Sequence, residues 1–359
     1  VDARALREEF PVLANIAYLN AGTDGPLAAR AAQAGAEALA RARDEGRAMA
    51  HFERRKQTGD ALRAAYARAL GCTAGDLALT TSTTEGLATV LDGLRWSEGD
   101  EVLTSDEEHP GLLGPLAGIR ERFDVSIRTA PFAELAGAVG PHTKLIACSH
   151  VSWMTGALAP AELAEAGVPV LLDGAQGVGG VPVDVTALGC SAYAGAGQKW
   201  LCGPDGAGML YVSEDLRAQL SVTRRGYGSL SDPGAGLKAR LHEDCRRFDS
   251  PALSAETLAT ALAAIEVLEE AGWAEIHARA IALAARLADE LARSGRTVVP
   301  RGSTTLVSFS SEDAEAERER LAEAGIVLRD VPGRPWLRAS VGAWNDEHDL
   351  DRLLAGLGG

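Results

Sequence analysis

The chain has no apolar run approaching the ~18 residues that cross a bilayer, so no segment reads as a membrane span. It has no surplus of positive charge either: 35 Lys and Arg stand against 50 Asp and Glu, a formal net charge of −15. That balance excludes a nucleic-acid footprint, which needs cations to neutralise phosphates, and a polybasic membrane anchor. The five cysteines show no CxxC and no framework spacing, and an odd number of scattered thiols fits a reducing cytoplasm. No Cys follows Cys245. A P-loop pattern is absent, and the glycines at 174, 177, 179 and 180 run into Pro182, so no dinucleotide-binding helix starts there. The chain contains no internal repeat and no low-complexity linker. Its first residues, Val-Asp-Ala-Arg-Ala-Leu-Arg-Glu-Glu, read as an amphipathic helix and not as a signal peptide.

What is present is a soluble globular composition, 46% apolar and 24% charged, in 359 residues, more than one typical domain of ~100–200. Residues 58–70 carry a helical pattern, 76–80 a short strand, and 84–94 a helix. A strand at 101–104 precedes a helix after His109-Pro110. The runs 144–148, 169–172 and 207–212 are continuously apolar, as strands buried on both faces are. Such alternation predicts an α/β fold with a mostly parallel sheet flanked by helices, and chemistry at the strand C-terminal ends. After about residue 250 the pattern changes. Helices are predicted at 255–271 and 273–294, a strand at 305–310, a helix at 312–324, a strand at 335–340 and a closing helix at 346–357. This reads as a smaller α+β unit, giving domains 15–250 and 251–359.

Three segments carry chemistry. A buried strand ends in Asp173, followed by Gly-Ala-Gln176-Gly. Lys199 lies in Gly195-Ala-Gly-Gln198-Lys199-Trp-Leu-Cys-Gly203, just before a strand. Thr80-Thr-Ser-Thr83-Thr84-Glu85-Gly86 is a hydroxyl-rich turn opening a helix. Singly, each is ordinary: most lysines are solvated, an Asp caps turns, and Thr-Thr-Glu is a common helix start. Together and in this order they match the needs of pyridoxal 5'-phosphate (PLP). These are a lysine for the Schiff base, a carboxylate against the pyridine nitrogen, and a helix N-terminus with hydroxyls for the phosphate.

From Tyr18-Leu-Asn20-Ala-Gly22 to Trp344-Asn-Asp-Glu, and most densely over Asp173–Val212, the chain resembles the class V aminotransferase family of fold-type I PLP enzymes. That family includes cysteine desulfurases, isopenicillin N epimerases and cystine C–S lyases. The resemblance implies the PLP-dependent transferase fold with a seven-stranded type of sheet, a homodimer, and N-terminal residues 1–14 packed on the C-terminal unit. It also implies roles. Lys199 would hold PLP, and Asp173 would face the ring nitrogen. Gln176 would donate to the phenolic oxygen, and His109 would stack on the ring. Thr83, Thr84 and Gln198 would serve the cofactor, while Arg338 and Asn20 would serve an amino-acid substrate.

Departures narrow the reaction. Gln198 stands where the family usually has His, Ala196 where it has Ser, and Trp153 in Ser149-His150-Val-Ser-Trp153 where it has Asn. The stretch 327–335, where desulfurases carry their sulfur-accepting Cys, has none. Among relatives without that Cys the chain resembles the cystine C–S lyases, in Glu108-His109-Pro110-Gly111, Ser149-His150-x-x-Trp153-x-Thr155-Gly156, Asp173-Gly-Ala-Gln176 and Arg247-Phe248 before Asp249. The resemblance implies C–S β-elimination giving pyruvate, ammonia and a sulfur product. An aminotransferase or epimerase is the alternative, and a non-catalytic PLP-fold protein is a third reading. His150 is expected to pack, and Trp336 and Trp344 to lie in the core. His242-Glu-Asp-Cys245 is expected to be a solvated charge run, and Arg247 an ion-pair residue. By the resemblance, Arg224 and Arg225 would reach a partner subunit's cofactor.

Overall fold

The computed structural model describes residues 2–358. Helix α1 (Ala3–Glu8) and the short strand β1 (Ala17–Tyr18) precede two long helices, α2 (Ala29–Asp44) and α3 (Met49–Leu70). Strands and helices then alternate: β2 (Leu77–Thr80), α4 (Thr83–Gly93), β3 (Glu101–Ser105), α5 (Pro110–Phe123), β4 (Ser126–Ala130), β5 (Thr143–Ser149), β6 (Val170–Asp173), β7 (Ala192–Ala196) and β8 (Gly208–Val212). The remainder is α6 (Glu214–Gln219), α7 (Ala255–Ala271), α8 (Trp273–Arg293), β9 (Leu306–Ser310), α9 (Ala314–Glu323), β10 (Ile326–Val327), β11 (Arg329–Asp330), β12 (Trp336–Ser340) and α10 (Glu347–Leu357).

Seven strands form one sheet in the order β2-β8-β7-β6-β5-β3-β4. Its β4-β3-β5-β6-β7 part is parallel, and β8 runs antiparallel to both β7 and β2. Strands β2, β6 and β7 are buried at every position, which is why β6 reads as an apolar run without alternation. Strand β7 (Ala-Tyr-Ala-Gly-Ala) escaped the pattern because it holds no β-branched residue. Its small residues are there for close packing: a Cβ at Gly195 would lie 2.9 Å from Val178 Cγ1 and 3.1 Å from Met209 Sδ. Helix α2 was missed for a similar reason. It is Ala-rich and packs on α7 so closely that a Cβ at Gly35 would meet Thr260 Oγ1 at 2.2 Å.

In the C-terminal unit β9, β11 and β12 form an antiparallel sheet, and β1 pairs with β10. Helix α8 lays Ile276, Ala280, Leu283, Ala284, Leu287 and Leu291 along one buried stripe at helical spacing. Truncating one such leucine to Ala costs about 2–5 kcal/mol. Helix α7 packs on α2 and α3, whereas α8 packs on β9 and α10. We propose that the two units divide at Gly272, the left-handed residue (φ 86°) between α7 and α8, rather than at residue 251.

The N-terminal segment packs on the C-terminal unit. Arg7 donates to Asp349 at 2.7 and 3.1 Å and to the Trp344 carbonyl at 3.0 Å, and Phe10 packs on Trp344. The Ser340 N–H then donates to the Leu19 carbonyl at 2.7 Å, which draws Asn20 to the end of β12. Among the described residues no helix is long and apolar enough to cross a membrane.

Candidate active site

The C-terminal edge of the parallel strands brings the first group of predicted residues together. Asp173 ends β6, level with Ser149 on β5 and Ala194 on β7. Its carboxylate is buried and accepts the Ala175 N–H at 2.9 Å. Burial raises its pKa, and the Ala175 N–H and Lys199 pull the other way. Lys199 lies in the β7–β8 connection and keeps some exposure. Desolvation nevertheless pushes its amine down to about 8; Asp173 and Asp24 oppose this, while Arg338 and Arg329 add to it. Roughly a tenth of such an amine is free base at pH 7, enough to act as a nucleophile or base.

Helix α4 begins at Thr83 because Ser82 caps it, its hydroxyl accepting the Glu85 N–H at 3.1 Å. Glu85 in turn accepts from the Thr81 N–H at 2.6 Å and the Thr81 hydroxyl at 2.7 Å. Thr83 is buried with its hydroxyl unpartnered; Thr84 is exposed at the same helix start. The Gln198 side-chain oxygen is also buried without a partner, while its backbone carbonyl accepts the Gly25 N–H at 2.7 Å. Unmet hydroxyl and N–H donors at a helix N-terminus suit a phosphate.

His109 caps α5. Its Nδ1 accepts the Gly111 N–H at 3.0 Å, which places the proton of the neutral ring on Nε2. Burial, helped by Lys199, Arg329 and Arg338, holds its pKa down at about 4, so the ring is neutral at pH 7. It meets Trp153 edge-on, with centroids 5.1 Å apart. A Cβ at Gly111 would lie 2.8 Å from Thr84 Oγ1, so the starts of α4 and α5 adjoin.

The substrate side comes from distant segments. Arg338 on β12 is fully buried. Its Nη1 donates to the Trp153 carbonyl at 2.6 Å, its Nη2 makes only a 3.5 Å contact with Thr23 Oγ1, and its Nε has no partner. None of these partners is a carboxylate, and burial, with Arg329 nearby, pushes the guanidinium pKa down to about 9. The Nε–Nη2 edge thus lacks any acceptor in the protein beyond the long Thr23 contact, and its geometry suits a bidentate carboxylate. Gly22 sits against it: a Cβ there would lie 2.7 Å from Ser340 Oγ and 2.9 Å from both Arg338 Nη2 and Gln176 Oε1. Ser340 Oγ and Asn20 Oδ1 are buried and unpartnered. Gln176 is held at both ends, donating to the Gly22 carbonyl at 2.7 Å and accepting from Trp200 Nε1 at 3.0 Å. One amide hydrogen of Gln176 remains for a ligand.

Sequence reasoning passed over three neighbours. Trp153 entered only as a departure, yet its carbonyl holds Arg338. Arg329 lies with its guanidinium 5.6 Å from the Trp153 ring centre. Glu108 is buried, and desolvation raises its pKa to about 7 against hydrogen bonds from Ser105 and Ser149. The signal for Glu108 was its position beside His109. His150 stays out of the site, packed with Nδ1 3.1 Å from the Tyr193 hydroxyl. Arg224 and Arg225 are exposed.

The orphaned donors at Thr83, Ser340 and Arg338, with a low-pKa lysine and a buried aspartate, fit a PLP carrying an amino acid. The comparisons agree. The Aminotransferase class-V family matches residues 29–353. Isopenicillin N epimerase of Streptomyces clavuligerus is 29% identical over 82% of this chain and 82% of its own length. A probable cysteine desulfurase of Pseudomonas aeruginosa is 32% identical over 79% of this chain and 77% of its own. Among solved structures, the cystine C–S lyase C-DES in complex with cysteine persulfide superposes with a TM-score of 0.92 at 30% identity, covering 97% of this chain and 98% of that one. A lysine-to-alanine variant of C-DES with glycine linked to PLP gives the same score and identity, covering 98% of each chain. This protein is a PLP-dependent enzyme with the fold-type I architecture, and it belongs to the class V aminotransferase family.

Proposed function

We propose that the chain is a C–S β-lyase that takes cystine or a related cysteine derivative. The observation that carries this reading is a buried guanidinium without a carboxylate partner, within electrostatic reach of Lys199, in a site without a reactive thiol. The segment from β10 to β12 contains no Cys. The nearest cysteine in sequence, Cys202, is fully buried with its thiol pushed well above the ordinary range, so it offers no thiolate to accept sulfur. Sulfur must then leave by elimination.

Lys199, Asp173, Gln176, Thr83, Thr84 and Gln198 would hold the cofactor, with His109 beside the ring. When bound, PLP supplies an electron sink for the charge left at Cα. Arg338 receives the substrate's α-carboxylate along its Nε–Nη2 edge, beside Asn20. Arg329 adds a second cation, which favours a substrate with a second carboxylate, as cystine has. The Lys199 amine removes the Cα proton, and the Asp173 carboxylate keeps compensating negative charge in the buried floor. The Cβ–S bond breaks with its electron pair on sulfur, so cystine plus water gives pyruvate, ammonia and cysteine persulfide. Neutral His109, with its proton on Nε2, would donate a hydrogen bond to the departing sulfur.

The homodimer belongs to the same reading. Leu39, Met49 and Leu237 are exposed on α2, α3 and the 221–245 segment, and exposed Tyr227 lines a groove of about 330 Å³ together with Phe52. A second copy would cover this apolar face and bring Arg224 and Arg225 towards its own cofactor. Five free cysteines support a cytoplasmic location.

The experiment is product analysis of the holoenzyme with cystine and, separately, with amino acid and 2-oxoacid pairs and with single enantiomers. Pyruvate and persulfide from cystine support the lyase. Amino transfer or racemisation without pyruvate would replace it with the aminotransferase or epimerase reading, the latter favoured by the S. clavuligerus relative. A cofactor band that no amino acid perturbs would indicate a protein without turnover.

A further inference from the structure

Two adjacent carboxylates, Glu107 and Glu108, precede His109, and their hydrogen-bond partners are hydroxyls and a backbone N–H rather than cations. Glu108 reaches into the sheet edge. It accepts from the Ser105 hydroxyl at the end of β3, from the Ser149 N–H at 2.9 and 3.1 Å, and from the Ser149 hydroxyl at 2.6 Å. Glu107 reaches sideways, accepting from the Ser152 hydroxyl and from Thr155 Oγ1 at 2.8 Å. Ser152 Oγ also accepts the N–H groups of Met154 at 3.3 Å and Thr155 at 3.2 Å, closing the 152–155 turn. Trp153 lies inside that turn. It is only 8% exposed, and its carbonyl takes one arm of Arg338 at 2.6 Å.

We propose that Glu107 and Glu108 are positioning residues, a clamp that sets the Trp153 carbonyl and through it the orientation of Arg338. Glu108 fixes the His109 loop to the sheet beside Asp173. Glu107 fixes the 152–155 turn to that loop. With Nη1 tied to Trp153, the guanidinium plane is locked and its Nε–Nη2 edge faces the substrate carboxylate. At Glu107 a single oxygen, Oε2, takes both hydroxyl donors, while at Glu108 the two oxygens divide the Ser105 and Ser149 hydroxyls between them. Neither glutamate needs to touch substrate. The clamp acts on any carboxylate-bearing ligand, so it does not depend on whether the reaction is elimination, transfer or epimerisation.

The test follows the cofactor absorbance of the holoenzyme during titration with glycine, which has a carboxylate, and with methylamine, which has none. Glu107→Ala should weaken glycine about tenfold or more and leave methylamine and the unliganded band unchanged. Glu107→Gln should recover most of the loss. Ser152→Ala combined with Thr155→Val removes the same contacts from the other side, and should reproduce the Glu107→Ala pattern even if that variant folds poorly. Equal weakening of both ligands, or no change in either, would overturn the proposal.

Discussion

Arg63 on α3 and Arg338 on β12 are both buried, yet their surroundings differ in kind. Arg63 meets Asp249 in a two-pronged pair at 2.9 and 2.7 Å and also donates to the Leu77 carbonyl at 2.8 Å. Asp249 accepts the Leu79 N–H at 2.9 Å as well. The Arg63 charge is answered within the fold by a carboxylate, although its Nε, like that of Arg338, has no partner, and the pair ties α3 to β2 and to the segment before α7. Arg338 has a carbonyl, a long contact to a hydroxyl and an empty Nε. Glu108, nearby, is buried among hydroxyls without a cation, and Lys199 is held at a lowered pKa. A buried charge left unanswered costs stability and persists where a ligand completes it. The paired region holds the fold, and the unpaired region receives substrate.

The difference can be broken at either end. The largest effect is expected at the paired end. Asp249→Ala strands the Arg63 charge and should cost about 3–5 kcal/mol of stability, read by urea denaturation, with KM for the amino acid unchanged. Next is Glu108. Its folded pKa of about 7 lies above the ordinary 4.5, so the folded state holds a proton that the unfolded chain releases. Its contribution is fully present below pH 4.5 and is lost as pH rises through 7, a fall of about 3 kcal/mol. Glu108→Gln should flatten that part of the stability-against-pH curve; an unchanged curve would show that Glu108 ionises normally. Arg338→Met should raise KM for a carboxylate substrate about 10²-fold, roughly 2.7 kcal/mol, by steady-state kinetics. The smallest effect belongs to Ser82→Ala, which removes the α4 cap beside the phosphate turn. It should cost about 1 kcal/mol of stability and weaken PLP retention in dialysis.

Legibility in the sequence followed the same divide. Asp173, Lys199 and Thr83 sit in short contiguous motifs at strand ends, where local pattern and chemistry coincide, so the floor of the site could be read directly. Arg338 and Asn20 needed the family resemblance, because only the pairing of the 19–20 segment with β12 brings them to Lys199. Trp153 was visible only as a departure, since its contribution is a backbone carbonyl, which no residue type encodes. Glu108 adjoins His109 in the sequence, but its burial depends on Ser105 and Ser149 from separate strands. Strand β7 and helix α2 were hidden by small residues chosen for close packing rather than for propensity.

The most direct measurement compares the urea unfolding midpoints of Arg63→Met and Arg338→Met in the absence of any amino acid. Arg63→Met should fall by the equivalent of about 3–5 kcal/mol, while Arg338→Met should stay within about 1 kcal/mol of wild type or gain stability. A loss at position 338 as large as that at position 63 would contradict the assignment of Arg338 as a receptor held open for substrate.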